Sequence, residues 1–137
     1  MADVPLQSYN TLEEIESAIP HRGPAILIDS AFSYDRYAKA KKHFSNDSKE
    51  FVGHFHESPI LPGIYLIEGM AQTAAFCRID GFRSEFKILA INKVRFKKPI
   101  LPDTTVAYEV SVVSVGVFSC IAKVDDCVVA SMELITA

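Results

Sequence analysis

The sequence predicts an α+β fold in which one buried helix packs against an antiparallel sheet. Residues 63–79 (GIYLIEGMAQTAAFCRI) are apolar on almost every side, which is typical of a helix buried on all faces. From residue 86 onward, apolar and polar residues alternate with the period of two that indicates strands. The links between these segments are short, so sequential strands are expected to pair antiparallel. A helix on the apolar face of such a sheet forms a two-layer core.

Length and composition limit the class of protein. The 137 residues suit one domain, which we expect to span residues 1–137. Seventeen acidic residues against fourteen Lys and Arg give a net charge of −3, which argues against a nucleic-acid partner. The sequence has neither an apolar run of about 18 residues nor a signal-peptide pattern, so we expect no membrane partner. Cys77, Cys120 and Cys127 form no Cys-x-x-Cys pair, which favours buried free thiols in the cytoplasm.

The N-terminal third predicts one helix and two strands. Residues 11–18 suit a short helix, because Thr11 and Glu14 have the spacing of a capping box at its start. Residues 25–32 (AILIDSAF) and residues 38–44 are strand candidates.

The C-terminal half predicts four strands with one apolar face each. The residues that share these faces are Phe86, Ile88, Ala90, Asn92, Val94 and Phe96, then Val106, Tyr108, Val110 and Val112, then Phe118, Cys120, Ala122 and Val124, and finally Val128, Ala130, Met132 and Leu134. A two-residue turn at 125–126 is expected to place Cys120 opposite Ser131. Cys120 and Cys127 are then not cross-strand partners.

Glu68 is the first residue whose chemistry stands out. It lies in the middle of the apolar helix, where loss of hydration favours the protonated form of a carboxyl group. Such an acid can donate a proton to a leaving group. A core carboxyl group satisfied by hydrogen bonds, or a helix face open to solvent, explains the residue equally well.

The loop before the helix supplies the other candidates. His54 is a potential general base, and Gly63 leaves room for a ligand at the helix N-terminus, where free N–H groups can stabilise an oxyanion. A base, an oxyanion site and an acid thus fall within 15 residues of each other. Elimination of water next to a carbonyl group requires these three parts.

A metal site is the alternative use of the same loop. His54 and His56 would share one side of an extended segment, and Glu57 could follow as a ligand. His21 and His43 are distant single histidines, so the sequence offers no convincing further ligand. We therefore expect no metal.

A row of basic residues lies along one face of the first C-terminal strand. Lys93, Arg95 and Lys97 alternate on the face opposite Val94 and Phe96. The row is either a solvated outer face or a docking surface for an acidic partner.

Three stretches together carry a family resemblance. Residues 19–29 (IPHRGPAILID), 53–72 (GHFHESPILPGIYLIEGMAQ) and 95–99 (RFKKP) resemble the (3R)-hydroxyacyl-[acyl-carrier-protein] dehydratases of the FabZ type. Their order and spacing also match, so the resemblance covers most of residues 19–136. It implies the hot-dog fold, in which an antiparallel sheet wraps around a long central helix.

The resemblance also implies roles for individual residues. His54 matches the catalytic histidine, and Glu68 matches the catalytic acid, which the other subunit of a dimer contributes. Gly63 matches the glycine whose N–H holds the thioester carbonyl. Phe55 positions the histidine ring, and Gln72 supports the glutamate. The implied partners are acyl carrier protein and a second copy of the chain, as a homodimer or a trimer of dimers, with no cofactor.

The sequence departs from the family pattern at four places. His56-Glu57 replaces the usual Pro-Gly, and Gly69 stands where Ala is usual. Residues 102–104 (PDT) replace Pro-Gly-Asp, and the link at residues 81–85 is short. These changes concern substrate choice more than chemistry.

We therefore expect a hydro-lyase that converts a 3-hydroxyacyl thioester on acyl carrier protein to the trans-2-enoyl thioester. The pathway is fatty-acid or related polyketide or polyene biosynthesis. Because the acid is Glu68 rather than Asp, the resemblance points to dehydration without isomerisation. The alternatives are a hot-dog thioesterase, in which a carboxylate activates water, and a non-catalytic acyl-binding protein.

Overall fold

A computed structural model describes residues 4–55, 57–80 and 87–137. The strands in these residues are β1 Gln7–Tyr9, β2 Ser30–Tyr34, β3 Tyr37–Phe44, β4 Ile88–Phe96, β5 Thr104–Ser114, β6 Val117–Val124 and β7 Cys127–Thr136. They form one antiparallel sheet in the order β1-β2-β3-β5-β6-β7-β4. The helices are α1 Leu12–Glu16 and α2 Gly63–Ala74, and 3-10 turns lie at Gly23–Ala25 and Lys49–Phe51.

The core lies between α2 and the sheet, which confirms the α+β class. α2 packs against β3, β5, β6 and β7. The alternation expected for the last three strands places one row of each in this core, except that Val129 is buried in place of the expected Val128. The fully buried members are Val106, Tyr108, Val110, Phe118, Cys120, Ala122, Ala130, Met132 and Leu134.

A close approach between α2 and β5 explains Gly69. A Cβ atom at this position would overlap the ring and the hydroxyl of Tyr108. Tyr108 is fully buried, and among the described residues its hydroxyl has no hydrogen-bond partner. The glycine at a position where the family usually has alanine therefore accommodates this tyrosine.

The N-terminal helix is confirmed. The Thr11 side chain accepts a hydrogen bond from the Glu14 N–H, and the Glu14 side chain accepts one from the Thr11 N–H, both at 3.1 Å. These two bonds form the expected capping box at the start of α1.

The strand expected at residues 25–32 is wrong over most of its length. β2 begins at Ser30, and the segment before it is buried without strand pairing. The N–H of Leu27 donates to the Gln72 side chain at 2.9 Å. A short apolar run shows that a segment is buried, but it does not show which partner satisfies its backbone.

α2 is shorter and more exposed than expected. It ends at Ala74, because the chain then turns toward the sheet, where the Arg78 N–H donates to the Tyr34 carbonyl at 3.0 Å. Ile64 is 67% exposed, so the first turn is not buried on every side. α2 has 12 residues, and no helix in the described part of the chain is long and apolar enough to cross a bilayer.

Two β-bulges change the side-chain phase of β4. The register against β7 shifts near the start of the strand and again between Asn92 and Arg95. Lys93, in the second bulge, has a positive φ of 55°. As a result Ile91 and Val94 pack against the core. The single face expected for this strand is therefore wrong, because alternation in the sequence does not reveal an inserted residue.

The hairpin between β6 and β7 turns at residues 125–126, which both have positive φ as a type I′ turn requires. A register shift next to Ala122 places Cys120 opposite Met132 instead of Ser131. All three cysteines are free, as expected, although Cys127 is exposed.

Candidate active site

His54 lies in the loop that joins the second 3-10 turn to α2. Its Nδ1 is 3.0 Å from the carbonyl oxygen of Ile60, whose own N–H donates to the His54 carbonyl at 2.8 Å. A carbonyl oxygen can only accept, so Nδ1 carries the hydrogen and the neutral ring has an unprotonated Nε2. A general base needs this tautomer.

A cavity of about 330 Å³ opens beside His54 and the N-terminus of α2. Its lining includes His54, Ile60, Leu61, Gly63, Leu66 and Phe96. Gly63 is the first residue of α2, so its N–H has no acceptor within the helix and lies at the positive end of the helix dipole. The cavity therefore combines a base, an N–H donor and apolar walls.

Aromatic rings lie next to both His54 and Gly63. The Phe55 ring stacks on the His54 ring with centroids 4.4 Å apart, and the peptide bond between the two residues is cis. Phe55 is itself exposed. On the other side, the Phe96 ring lies so close to Gly63 that a Cβ there would be 2.6 Å from it. Any larger residue at position 63 would displace this ring.

Glu68 lies in a polar environment, not in the apolar one that the composition of α2 suggests. Its Oε1 accepts a hydrogen bond from Gln72 Nε2 at 3.0 Å and lies 3.1 Å from His21 Nε2. The side chain is 38% exposed. Among the described residues, no hydrogen-bond partner reaches the other oxygen, Oε2.

Gln72 is fully buried and held from three directions. Its Oε1 accepts the Leu27 N–H at 2.9 Å, and its Nε2 donates to the Ala25 carbonyl at 2.7 Å and to Glu68. Since a backbone N–H only donates and a carbonyl only accepts, the orientation of the amide is determined. The buried segment before β2 thus fixes the donor that faces Glu68.

His21 is the residue that sequence reasoning missed. In the sequence it is a distant single histidine. In the structure, the loop that follows α1 brings it to 3.1 Å from Glu68. The available signal was its place in residues 19–24 (IPHRGP), the start of the first stretch that carries the family resemblance.

Glu68 and the His54 cavity lie on different sides of α2. Leu66 lines the cavity, and Glu68 follows two residues later, about 160° around the helix axis. Accordingly, Glu68 is not among the described residues that line the cavity. We call His54 with Gly63 the base half-site, and Glu68 with Gln72 and His21 the acid half-site.

Comparison with known proteins identifies the family. A family model of the FabA-like domain matches residues 19–133. The chain belongs to this family. It is 33% identical over 134 residues to the 3-hydroxyacyl-[acyl-carrier-protein] dehydratase FabZ of Aliivibrio fischeri, covering 90% of the chain and 89% of the relative. The FabZ of Sinorhizobium fredii is 39% identical over 132 residues, covering 90% of the chain and 86% of the relative.

Solved structures share the fold of this FabA-like chain. The dehydratase heterocomplex ApeI:P from Xenorhabdus doucetiae aligns with a TM-score of 0.64 and 15% identity, covering 100% of the chain and 99% of that structure's chain. The PaaI protein from E. coli aligns with a TM-score of 0.62 and 18% identity, covering 77% and 79%. Likeness at these identities concerns the fold, and it confirms the expected hot-dog architecture.

The basic row of the FabA-like chain does not follow simple alternation. The second bulge of β4 separates Lys93 from Arg95, which lies opposite Ser131 in β7. Lys97 lies beyond the strand, where its N–H donates to the Val129 carbonyl at 2.7 Å. Lys97 also lines the cavity. Positive charge therefore borders the base half-site.

Two departures from the family pattern, His56 and the link at residues 81–85, lie outside the described residues. The two-histidine metal alternative depends on His56. Among the residues that the structure does describe, no group of three or more His, Cys, Asp or Glu side chains is placed to hold a metal ion.

The two interior thiols do not supply a nucleophile. Burial raises the pKa of Cys77 and of Cys120 to about 12, so both are protonated at neutral pH. Nucleophilic attack by cysteine requires the thiolate.

Proposed function

We propose that this protein removes water from 3-hydroxyacyl thioesters carried on acyl carrier protein and releases trans-2-enoyl thioesters, as in fatty-acid biosynthesis. One observation carries the proposal: the Nδ1 hydrogen bond of His54 leaves Nε2 unprotonated in a ring that borders the same cavity as the Gly63 N–H. The FabZ relatives, which are named as dehydratases of this substrate class, support it.

The base half-site starts the reaction. His54 Nε2 takes a proton from the carbon next to the thioester carbonyl. The electron pair of that C–H bond moves toward the carbonyl oxygen, which accepts a hydrogen bond from the Gly63 N–H. The positive end of the α2 dipole stabilises the same developing charge.

The acid half-site completes the reaction. Glu68 gives its proton to the 3-hydroxyl group, the C–O bond breaks, water leaves, and a double bond forms between C2 and C3. Glu68 is left as a carboxylate and His54 as an imidazolium. Transfer of one proton from His54 to Glu68 through water restores both groups. No electrons are gained or lost, so the reaction asks for no redox cofactor.

The two half-sites meet between two copies of the chain. Within one copy they lie on different sides of α2, and Ile64, 67% exposed, lies one turn before Glu68 on the acid side. β4 is the last strand of the sheet in the described residues and has one edge without a partner strand. A homodimer would cover Ile64 and bring Glu68 of one copy to His54 of the other.

The carrier protein approaches the basic border of the base half-site. Lys97 and Lys98 line the cavity of a chain whose net charge is −3. This local positive charge suits an acidic carrier protein that delivers its thioester into the cavity. We place the reaction in the cytoplasm, where free thiols such as those of this chain persist.

The experiment is product analysis with 3-hydroxybutyryl thioester on acyl carrier protein. We expect the enoyl thioester, detected by its ultraviolet absorbance, without release of free thiol, and we expect no product from a His54→Ala control. Release of free thiol would show a thioesterase instead. Tight binding of the acyl carrier protein with neither product would show an acyl-binding protein, and either result would overturn the proposal.

A further inference from the structure

The two oxygens of Glu68 have different surroundings. Gln72 Nε2 and His21 Nε2 both lie against Oε1, at 3.0 and 3.1 Å. Oε2 has no hydrogen-bond partner among the described residues. The Gln72 contact has a determined direction, because Leu27 and Ala25 fix the amide so that an N–H faces the carboxyl group.

This asymmetry determines which oxygen carries the acidic hydrogen. In a protonated carboxyl group, the carbonyl oxygen can accept two hydrogen bonds, whereas the hydroxyl oxygen must direct its own hydrogen at an acceptor. Oε1 receives the Gln72 N–H and lies within N–H···O distance of His21. In the protonated form of Glu68, Oε1 therefore acts as the carbonyl oxygen and Oε2 carries the hydrogen.

We propose that His21 is a positioning residue for the acid. Its Nε2–H donates to Oε1 of Glu68, directs the acidic hydrogen to Oε2, and stabilises the carboxylate that remains after this hydrogen has moved to the leaving hydroxyl group. The inference rests on the proposed dehydration. The proton balance of that reaction is unchanged, since His21 keeps its own hydrogen throughout and acts through Glu68.

The loop that carries His21 is built to hold it in place. Arg22 Nη1 donates to the carbonyl of Ile19 at 2.8 Å and to the carbonyl of His21 at 2.6 Å. The Ile19 side chain is buried in the core, and Pro20 restricts the backbone between the two. The His21 side chain is only 21% exposed, although the residue lies in a loop.

Two amide variants test the contact. In His21→Gln the side-chain amide reaches the position of Nε2 and can still donate to Oε1, whereas the shorter amide of His21→Asn ends near the position of Nδ1. We expect His21→Gln to keep kcat within about threefold and His21→Asn to lower it about 10- to 100-fold, the usual effect of a lost hydrogen bond to a charged group. KM should change little. His43→Asn, which removes a histidine bonded to Asp103 and Thr105, is the matched control.

The decisive measurement repeats the substitution in a Glu68→Gln background. A residue that acts through Glu68 has nothing left to position there, so His21→Asn should then change the residual rate less than about twofold.

An equal loss in both backgrounds, or equal loss in the Gln and Asn variants, would overturn the positioning role. Absence of enoyl product from the wild-type protein would instead overturn the proposed function, so the two failures are distinguishable.

Discussion

At Glu68, one carboxyl group is contacted by Gln72 of the same helix and by His21 from a distant part of the chain. His21 comes from the loop after α1, and the amide of Gln72 is oriented by the segment before β2. Without these contacts, Glu68 would be a polar side chain on α2 in which neither carboxyl oxygen is preferred as the site of the hydrogen. Its chemistry depends on contacts that neighbouring residues in the sequence do not supply.

Glu68→Gln tests this residue directly. The amide is nearly isosteric, and its oxygen can still accept from Gln72 and His21, so we expect the melting temperature to stay unchanged. The transferable proton is lost, and we expect kcat to fall by about 10²–10⁴, the range of a positioned general acid. Steady-state assay and thermal unfolding of both proteins check this. A rate near that of the wild type would remove Glu68 from the mechanism.

The candidate residues differ in how far the sequence could predict them. His54, Gly63 and Glu68 lie within 15 residues, so their types and spacing are visible along the chain. His21 was missed because its contact with Glu68 forms only when the fold brings two distant segments together. The hydrogen-bonded surroundings of Glu68 were missed for the same reason, since a helix composition does not show what packs against it.

At the scale of elements, regular patterns were predicted and local exceptions were not. β5 and β6 place their alternating residues in the core as expected, and so does β7 from Ala130 onward, whereas Val129 is buried in place of the expected Val128. The prediction of a single apolar face for β4 is wrong because two bulges insert residues into the alternation. The strand predicted at residues 25–32 is wrong over most of its length because the side chain of Gln72, not a neighbouring strand, accepts the hydrogen bond from the N–H of Leu27.

Gly69→Ala tests the contact between α2 and β5. Alanine gains about 1 kcal/mol of helix propensity, but its Cβ overlaps Tyr108, and overpacking costs about 1–3 kcal/mol. We therefore expect a lower free energy of unfolding in urea. In a Tyr108→Leu background, where the ring is absent, the same change should be neutral or stabilising. Stabilisation of the otherwise native protein by Gly69→Ala would contradict this account.

Glu109 on β5 links three strands and gives a pH dependence. Burial opposes its charge, but hydrogen bonds from Lys123 at 2.9 Å and Tyr37 at 2.8 Å outweigh this and lower the pKa of Glu109. A carboxyl group with a lowered pKa stabilises the fold above its ordinary pKa, and this contribution is lost as the pH falls through the lowered value.

The Glu109→Gln variant measures that contribution. Both partners are partly open to water, with side chains 25% exposed at Glu109 and 26% exposed at Lys123, so we expect the variant to lose only about 0.5 kcal/mol of unfolding free energy at about pH 7. The difference from the wild type should shrink as the pH falls through the lowered pKa of Glu109. Urea unfolding of both proteins at a series of pH values from neutral into the acid range gives the result. A difference that grows in acid would show that the sign is wrong.

At the scale of the whole molecule, the base half-site is bordered by positive charge. If Lys93 and Arg95 attract the carrier protein, reversing both to Glu should raise KM for the substrate on carrier protein through a slower association rate. Small pantetheine thioesters should react as before, because neither residue lines the cavity. The charge-matched control is Lys39→Glu with Lys41→Glu on β3, which three strands separate from β4. Equal losses with both substrates would show that the basic row is structural.

The division of the site between two sides of α2 is the other property of the whole molecule. The family resemblance predicted a site shared between subunits, and the positions of Leu66 and Glu68 on the helix give that prediction a geometric basis. His54 borders the cavity, whereas Glu68 is not among the described residues that line it.

Mixing two inactive variants tests this division. In a heterodimer of His54→Ala and Glu68→Gln chains, one shared site contains both native residues and the other contains neither. Random pairing makes about half of the dimers mixed, each with one active site of two, so the mixture should recover about a quarter of wild-type activity. A site within one chain predicts no recovery, because every site would still lack one group. Subunit exchange is measured separately with differently tagged chains, and exchange without recovered activity would rule out the shared site.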